Sequence, residues 1–157
     1  MHDTNETLTQ LRELLRTQRF AVLATRRADA QPYGNLVAFA CDEALGCLLF
    51  ATQRATRKYQ NIEAEPRVAL VVDNRANSED DLRRAMVVTA LGRAVETEGE
   101  QRRRMIDLFC DKHPAMREFV DSPESALLRV DIERYIVVRQ FQKVVEMLVQ
   151  DGDIRLA

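Results

Sequence analysis

The sequence predicts a mainly β protein, an antiparallel barrel of six or seven strands with helices on its outside. Two observations lead to this fold class. Strand-like segments follow one another in hairpin-like succession, and such strands pair antiparallel and close into a barrel. Helical segments are few, and their apolar faces suit packing against the outside of a sheet. A chain of 157 residues has the length of one domain, residues 1–157.

The first part of the chain predicts one helix and three strands. Four leucines at helical spacing mark an N-terminal amphipathic helix, and Thr7 is its candidate N-cap. The leucines are Leu8, Leu11, Leu14 and Leu15. Segments rich in strand-forming residues alternate with turn signals after this helix. The strands are predicted at residues 20–25, 35–40 and 47–51, and the turns at 29–32 and 42–46.

A second amphipathic helix and a buried strand follow. The helix is predicted to place Ala55, Tyr59 and Ile62 on one face. It ends at Glu65, because the residue before a proline is disfavoured in the α region. Residues 68–72 are an unbroken apolar run, which is typical of a buried strand.

The second half of the chain continues the mainly β pattern. Residues 76–81 read as a polar loop, and Gly92 predicts a bend or bulge in the long strand after it. The strands are predicted at residues 85–95, 126–138 and 144–149, with 144–149 the last of them. Helices are predicted at 100–112 and 115–120, and a turn at 151–152.

Composition and charge exclude several classes of protein. The formal net charge is −2, whereas nucleic-acid-binding proteins normally carry a basic surplus. No apolar run approaches the ~20 residues of a membrane-spanning helix. The first six residues are polar and acidic, unlike a secretory signal. We therefore expect a cytoplasmic protein that binds neither nucleic acid nor membrane.

The cysteines and histidines indicate no metal site. The sequence contains three cysteines, Cys41, Cys47 and Cys110, and no two of them have C-x-x-C spacing. An odd number of cysteines without this spacing fits a protein of a reducing compartment. Cys41 and Cys47 flank a turn and either face each other or are small apolar strand residues. His113 before Pro114 is typical of a joint between two helices. We expect no catalytic role for His113, for the Arg102–Arg104 run on a solvated helix face, or for Glu146, which should point outward.

The most informative stretch joins the third strand to the second helix. Thr52 ends the strand, Thr56 is placed to cap the helix, and Arg57 and Lys58 follow in its first turn. Acidic residues are favoured at this end of a helix, so two cations oppose the dipole unless an anion binds between them. A phosphate site is one interpretation. A solvated basic cluster, including Arg54, is the other.

The chain resembles the flavin-binding split-barrel proteins related to pyridoxamine 5'-phosphate oxidase over roughly residues 11–141. No single motif is specific, but their combination and order are. The matching segments are FAVLAT at 20–25, QPYGNLV at 31–37, LFAT at 49–52, TRKYQNI at 56–62, EPRVAL at 65–70 and VTALGRA at 88–94.

The resemblance implies a fold, a cofactor and its site. The fold would be mainly β (α+β), a six- to seven-stranded antiparallel split β-barrel of Greek-key type with peripheral helices. FMN would bind at the subunit interface of a homodimer. Thr52, Thr56, Arg57 and Lys58 would hold its phosphate. Asn35, Leu36 and Val37 would run beside the isoalloxazine ring, largely through backbone atoms, and Asn61 would lie near the phosphate or ribityl chain.

The chain also departs from the oxidase itself, which ends in a tryptophan-bearing strand with a basic pair. It contains no tryptophan, which argues against oxidation of the vitamin. Residues 134–142 instead resemble relatives associated with haem utilisation or general flavin reduction. Three hypotheses follow: an FMN-dependent oxidoreductase for a small molecule, a non-catalytic binder or sensor of flavin, F420 or haem, and a dimeric interaction module without ligand.

Overall fold

The computed structural model describes residues 2–140 and 142–157, with side chains from Thr4 onward; Phe141, the end of the resemblance, lies outside the described residues. The helices are α1 (His2–Thr17), α2 (Arg57–Ala64), α3 (Asp81–Arg84), α4 (Gly99–Lys112) and α5 (Arg117–Asp121), with a 3-10 turn at Pro114–Met116. The strands are β1 (Phe20–Arg26), β2 (Pro32–Ala38), β3 (Ala40–Cys41), β4 (Cys47–Gln53), β5 (Arg67–Asp73), β6 (Val87–Glu96), β7 (Ser125–Arg139), β8 (Lys143–Gln150) and β9 (Asp153–Leu156).

All strands of the described residues belong to one antiparallel sheet in the order β2-β1-β5-β6-β7-β4-β3, with β8 and β9 branching from β7. The long strand β7 organises it. Its first half pairs with β4, as at Phe50 opposite Leu128, and its second half pairs with β8, as at Ile136 opposite Glu146. Strand β6 runs along its other side. The sheet curls until β2 contacts β4, which produces a half-closed barrel.

The core fills the inside of this curl. Alternate residues of the strands point inward, and α1 covers them with Leu11 and Leu15, both fully buried. Tyr135 is fully buried at the centre of β7, and its hydroxyl donates to the Leu45 carbonyl at 2.7 Å. A smaller core forms where Phe109 of α4 packs with neighbours on β4, β7 and α5. Among the described residues, no helix is long and apolar enough to cross a membrane.

The structure confirms the predicted fold class, and it differs in detail at both ends of the chain. The predicted last strand is followed by β9, which the turn at Asp151-Gly152 folds back onto β8. Thr7 is not an N-cap: α1 begins five residues earlier, and Thr7 is fully buried within it. Acidic residues such as Glu6 are favourable near a helix N-terminus, so the helix extends through this polar segment.

Two local predictions were also wrong. Ala55 is exposed and precedes α2, because Thr56 is the N-cap, so the buried face of the helix is made by Asn61 and Ile62. The strand predicted to begin at residue 85 begins at Val87. The loop predicted at residues 76–81 is present up to Asp81, where the short helix α3 starts.

The bulge predicted at Gly92 is present. The register between β6 and β7 shifts between Leu91 and Gly92. A β-carbon at Gly92 would lie 2.2 Å from the carbonyl oxygen of Asp131 and 3.1 Å from the α-carbon of Ile132. Only glycine fits here, because both obstacles are backbone atoms of the neighbouring strand.

The end of α4 is fixed to the rest of the molecule by two adjacent side chains. Lys112 Nζ donates to the Leu15 carbonyl at 2.8 Å and lies 4.0 Å from the centre of the Phe39 ring. The His113 ring nitrogen Nε2 lies 2.7 Å from the Phe39 carbonyl oxygen. Burial lowers the pKa of Lys112 to about 8 and also lowers the pKa of His113.

We expect the free energy of unfolding to rise with pH between about 8 and 10.5 because of Lys112. Below pH 8 this lysine is protonated in both states and burial of its charge opposes folding. Above its ordinary pKa of 10.5 it is neutral in both, and that opposition is gone. Urea unfolding at pH 7.5, 8.5 and 9.5 measures the slope. Lys112→Met should reduce the slope of the unfolding free energy against pH. Lys143→Met is the control, because Lys143 is exposed, and it should leave the slope unchanged. Equal slopes in wild type and Lys112→Met would refute the attribution to Lys112.

Candidate functional site

The turn between β4 and α2 brings four predicted phosphate-binding residues together: Thr52, Thr56, Arg57 and Lys58. Thr56 has extended backbone geometry (φ −83°, ψ 155°), and its Oγ1 accepts from the Tyr59 N–H at 3.4 Å. The predicted N-cap is therefore confirmed. Because this cap engages the Tyr59 amide, the N–H groups of Arg57 and Lys58 in the first turn remain oriented outward from the helix end.

The two threonine hydroxyls form a small network at this turn. Thr52 Oγ1 and Thr56 Oγ1 are 3.0 Å apart, and Thr56 Oγ1 also lies 2.8 Å from the Gln53 carbonyl oxygen. Thr52 is 2% exposed, so its hydroxyl lies on the buried side of Thr56 and fixes the Thr56 hydroxyl through their hydrogen bond. Thr56 is the hydroxyl nearer the surface, and its proton can turn from the carbonyl to an anion.

The first turn of α2 contains two cations and no acidic residue. Among the described residues, neither Arg57 nor Lys58 has an ion pair or a side-chain hydrogen bond. Lys58 is partly buried, and this burial lowers its pKa. The charge of the Lys58 ammonium is disfavoured by two effects, its partial loss of hydration and its position beside the positive end of the helix dipole. The attraction of an anion bound here would offset both penalties.

Arg54, the third cation of the segment, has a different role. Its Nε donates to Glu96 at 2.7 Å and its Nη1 donates to the Pro123 carbonyl at 2.7 Å. The Tyr59 hydroxyl reaches the same Glu96 carboxylate at 3.4 Å. Arg54 thus fixes the turn to the end of β6. Glu96 was missed in the sequence because it lies forty-two positions away from Arg54.

Asn61 lies on the inner side of α2. It is 4% exposed, and its Nδ2 donates to Thr25 Oγ1 at 3.0 Å. This contact joins the helix to β1 beneath the turn. In this arrangement Asn61 orients α2 and does not line the exposed turn with Thr56, Arg57 and Lys58.

Asn35, Leu36 and Val37 lie on β2, the edge strand that contacts β4. Leu36 is 65% exposed and Val37 is 5% exposed, so the two point to opposite faces. The Asn35 side-chain oxygen is buried, and no hydrogen-bond donor reaches it from the described residues. One edge of β2 pairs with β1; its other edge retains backbone donors and acceptors.

The residues expected to have no catalytic role have structural contacts. Glu146 lies on the outer face of the sheet and forms an ion pair with Arg134. Arg103 and Arg104 are exposed, whereas Arg102 is partly buried and donates from Nη2 to the Val120 carbonyl at 2.9 Å. Arg102 therefore anchors α5, which differs from the solvated face that was predicted.

The cysteines do not face one another. Cys41 is paired with Leu48 across the β3–β4 hairpin, so Cys47 is the next residue along and points to the opposite face. All three cysteines are free thiols. Burial raises the pKa of Cys47 to about 12 and also raises the pKa of Cys41 and Cys110. These pKa shifts favour small buried residues over reactive thiolates. No group of three or more potential metal ligands occurs among the described residues.

Several known proteins are similar to this chain in sequence or in fold. The chain is 33% identical over 91 residues to 5a,11a-dehydrotetracycline/5a,11a-dehydrooxytetracycline reductase of Streptomyces rimosus subsp. rimosus. This match covers 57% of the chain and 64% of the reductase, so the chain spans less than two thirds of that relative.

Solved structures share the fold at low sequence identity. A heme binding protein from Mycobacterium smegmatis has a TM-score of 0.78 at 17% identity, over 87% of this chain and 55% of that protein. HutZ, a heme storage protein from Vibrio cholerae, has a TM-score of 0.70 at 16% identity, over 80% and 89% of the two chains.

The family profile of pyridoxamine 5'-phosphate oxidase matches residues 7–139, from α1 to the last residue of β7. That range contains the half-closed barrel, the edge strand β2 and the turn before α2. The match therefore covers both the fold and every residue of the candidate site. The chain belongs to the pyridoxamine 5'-phosphate oxidase family.

Proposed function

We propose that the chain binds FMN, with its phosphate at the turn between β4 and α2. The observation that carries this proposal is the first turn of α2, where Arg57 and Lys58 face no acidic partner among the described residues and Lys58 is partly desolvated. Arginine offers a two-pronged donor, lysine a point charge and Thr56 a neutral donor, which together suit a phosphate dianion.

The edge strand β2 fits the flavin ring. The buried side-chain oxygen of Asn35 lacks a donor within the described residues, and the free edge of β2 offers backbone groups at the seam with β4. A flavin edge carries both donors and acceptors, so it can meet these groups. Thr52 and Asn61 support the site through Thr56 and Thr25, respectively.

The activity we propose is FMN-dependent oxidation or reduction of a small molecule. The similarity to a protein named as a reductase supports this choice, and the absence of tryptophan from the sequence argues against the vitamin oxidase reaction. Bound FMN would supply the electron transfer, while the protein would position it and tune its environment. Such a site requires no acid–base pair from the chain.

Haem is the second candidate, because two structures of similar fold are named for haem binding or storage. The described residues support it less well. His113, the one histidine whose side chain is described, is buried with Nε2 at the Phe39 carbonyl oxygen. In that position its Nε2 is engaged and is poorly placed to bind a haem iron.

The absorption spectrum of the purified protein separates these candidates. Bound FMN gives a yellow protein whose flavin bands bleach when a reduced nicotinamide is added without oxygen. We expect that result. Bleaching supports an oxidoreductase, stable flavin bands support a binder or sensor, and uptake of haem with no flavin binding would overturn the FMN proposal.

We further propose that the chain forms a homodimer through the outer face of the sheet. Directly paired residues share a face, and one row crosses five strands at Leu36, Val22, Val71, Thr89 and Ile136. Leu36 and Val22 are 65% and 38% exposed. An apolar face of this extent is typical of a partner interface. In a twofold dimer a second copy of the chain would present the same apolar row to it.

We expect the wild-type protein to sediment as a dimer at micromolar concentration. Leu36→Asp should shift it to a monomer, because a carboxylate in place of the most exposed apolar side chain of this row would be desolvated by the partner. Leu82→Asp is the control, since Leu82 is 69% exposed on α3 and away from the row. A wild-type monomer would contradict the proposal.

A further inference from the structure

The structure contains a second basic site, far from the turn before α2 along the sheet. A groove of about 690 Å³ lies between α1, the segment that joins β5 to β6, and the end of β7. It adjoins Arg139, the last residue of β7, whereas the turn before α2 adjoins Ser125, the first residue of the same strand. We propose that this groove binds a small organic molecule with at least two anionic groups, either phosphates or carboxylates.

Arg139 places a fixed positive charge at the floor of the groove. It is 6% exposed, and Nη1 donates to the Gln10 side-chain oxygen at 2.6 Å and lies 3.7 Å from the Glu6 carboxylate. A guanidinium stays protonated at any ordinary pH. Gln10 and Glu6 belong to α1, so they hold the side chain in one orientation toward the helix that forms the wall.

Two further arginines stand at the rim. Arg83 and Arg84 form the last turn of α3 and line the groove. Both are exposed, and among the described residues neither has an ion pair or a hydrogen bond from its side chain. Two adjacent guanidinium groups are suited to carboxylate or phosphate groups, which each accept paired hydrogen bonds. The Arg139 guanidinium at the floor is already engaged by Gln10 and Glu6. The paired contacts are therefore assigned to Arg83 and Arg84.

The acidic groups near the groove are already engaged. Glu13 lines the wall, but Arg16 holds its carboxylate at 3.0 Å. Asp81, at the start of α3, accepts the backbone N–H groups of Ala76 and Ser78 at 3.0 and 2.9 Å. The lining therefore carries a local positive excess in a chain whose formal charge is −2.

Neutral donors and a small apolar surface complete the groove. The Asn74 side-chain oxygen accepts the Met86 N–H at 2.8 Å, so its amide nitrogen remains available as a donor. Leu14 and Met86 contribute apolar surface. A volume of 690 Å³ matches small-molecule pockets, which typically span about 300–1,000 Å³. The groove is thus large enough for an organic anion and polar enough to orient it.

Calorimetric titration of the full chain with pyrophosphate and, separately, with citrate tests the proposal. Both titrations use an Arg57→Ala, Lys58→Ala background, so that the turn before α2 cannot bind the probes. We expect one saturable site per chain. Binding of pyrophosphate alone identifies a phosphate ligand, binding of citrate alone a carboxylate ligand, and binding of both supports the shared chemistry.

Arg83→Gln with Arg84→Gln should lower the affinity by about tenfold or more, since it removes two charge-assisted contacts. Arg103→Gln with Arg104→Gln is the matched control, because it removes the same charge from an exposed pair on α4; we expect a change of about twofold at most. Unchanged melting temperatures establish that both variants fold. No saturable binding, or an equal loss in the control, would overturn the proposal.

Discussion

Replacing either Arg57 or Lys58 by alanine is expected to weaken FMN binding by about ten- to a hundredfold, and replacing both should give a folded protein without flavin. A charge-assisted hydrogen bond contributes about 1.5–3 kcal/mol, and each ~1.4 kcal/mol is tenfold in affinity. Neither side chain belongs to the buried face of α2, which consists of Asn61 and Ile62. Titration of FMN into wild type and variants, followed by flavin fluorescence, measures the loss.

Riboflavin makes this test specific for the phosphate. It lacks that group, so it should bind the wild-type protein far less tightly than FMN and respond little to the two substitutions. Arg103→Ala with Arg104→Ala removes equal charge elsewhere and should leave FMN binding nearly unchanged. Equal FMN affinity in wild type and the Arg57, Lys58 double variant would eliminate the phosphate assignment.

Gly92→Ala is expected to destabilise the fold by about 3 kcal/mol or more. The added β-carbon would meet the Asp131 carbonyl oxygen at 2.2 Å, and relief requires β6 and β7 to separate at the bulge. Overpacking of this kind typically costs about 1–3 kcal/mol, and more where backbone must move. A loss of that size corresponds to a melting temperature roughly 6–12 °C lower.

Gly34→Ala is the matched control for this prediction. At Gly34 the nearest atom to an added β-carbon is Val22 Cγ1 at 3.9 Å, an ordinary contact. Alanine also restricts the unfolded chain more than glycine does, so the change should be neutral or slightly stabilising. Thermal unfolding by circular dichroism compares the two variants; similar melting temperatures would show that the bulge tolerates a side chain.

Much of the fold could be predicted because its signals are local. The N-cap at Thr56, the helix end before Pro66 and the bulge at Gly92 each follow from the backbone preference of one or two residues. Local signals can also mislead, and a contact between distant residues leaves no local signal at all. Thr7 reads locally as a cap, yet it is buried inside α1.

The candidate site shows the same division. The sequence places Thr52, Thr56, Arg57 and Lys58 within seven positions, so their proximity in the structure could be expected. It contains no signal that Glu96 would neutralise Arg54, or that Asn61 would bond to Thr25, since those partners come from β6 and β1. The groove beside Arg139 was also invisible, because α1 and α3 are remote from that strand in sequence.

The order of the strands has a consequence for synthesis of the protein. Strand β4 pairs with β3 on one side and with the first half of β7 on the other. Phe50 of β4 therefore cannot pair until Leu128 of β7 has been synthesised. On a ribosome the intervening residues must all emerge before this edge of the sheet can form. The turn that follows β4 is therefore completed only after the first half of β7 has emerged, and a ligand can be bound there only after that point. Such long-range closure also slows refolding of the isolated chain.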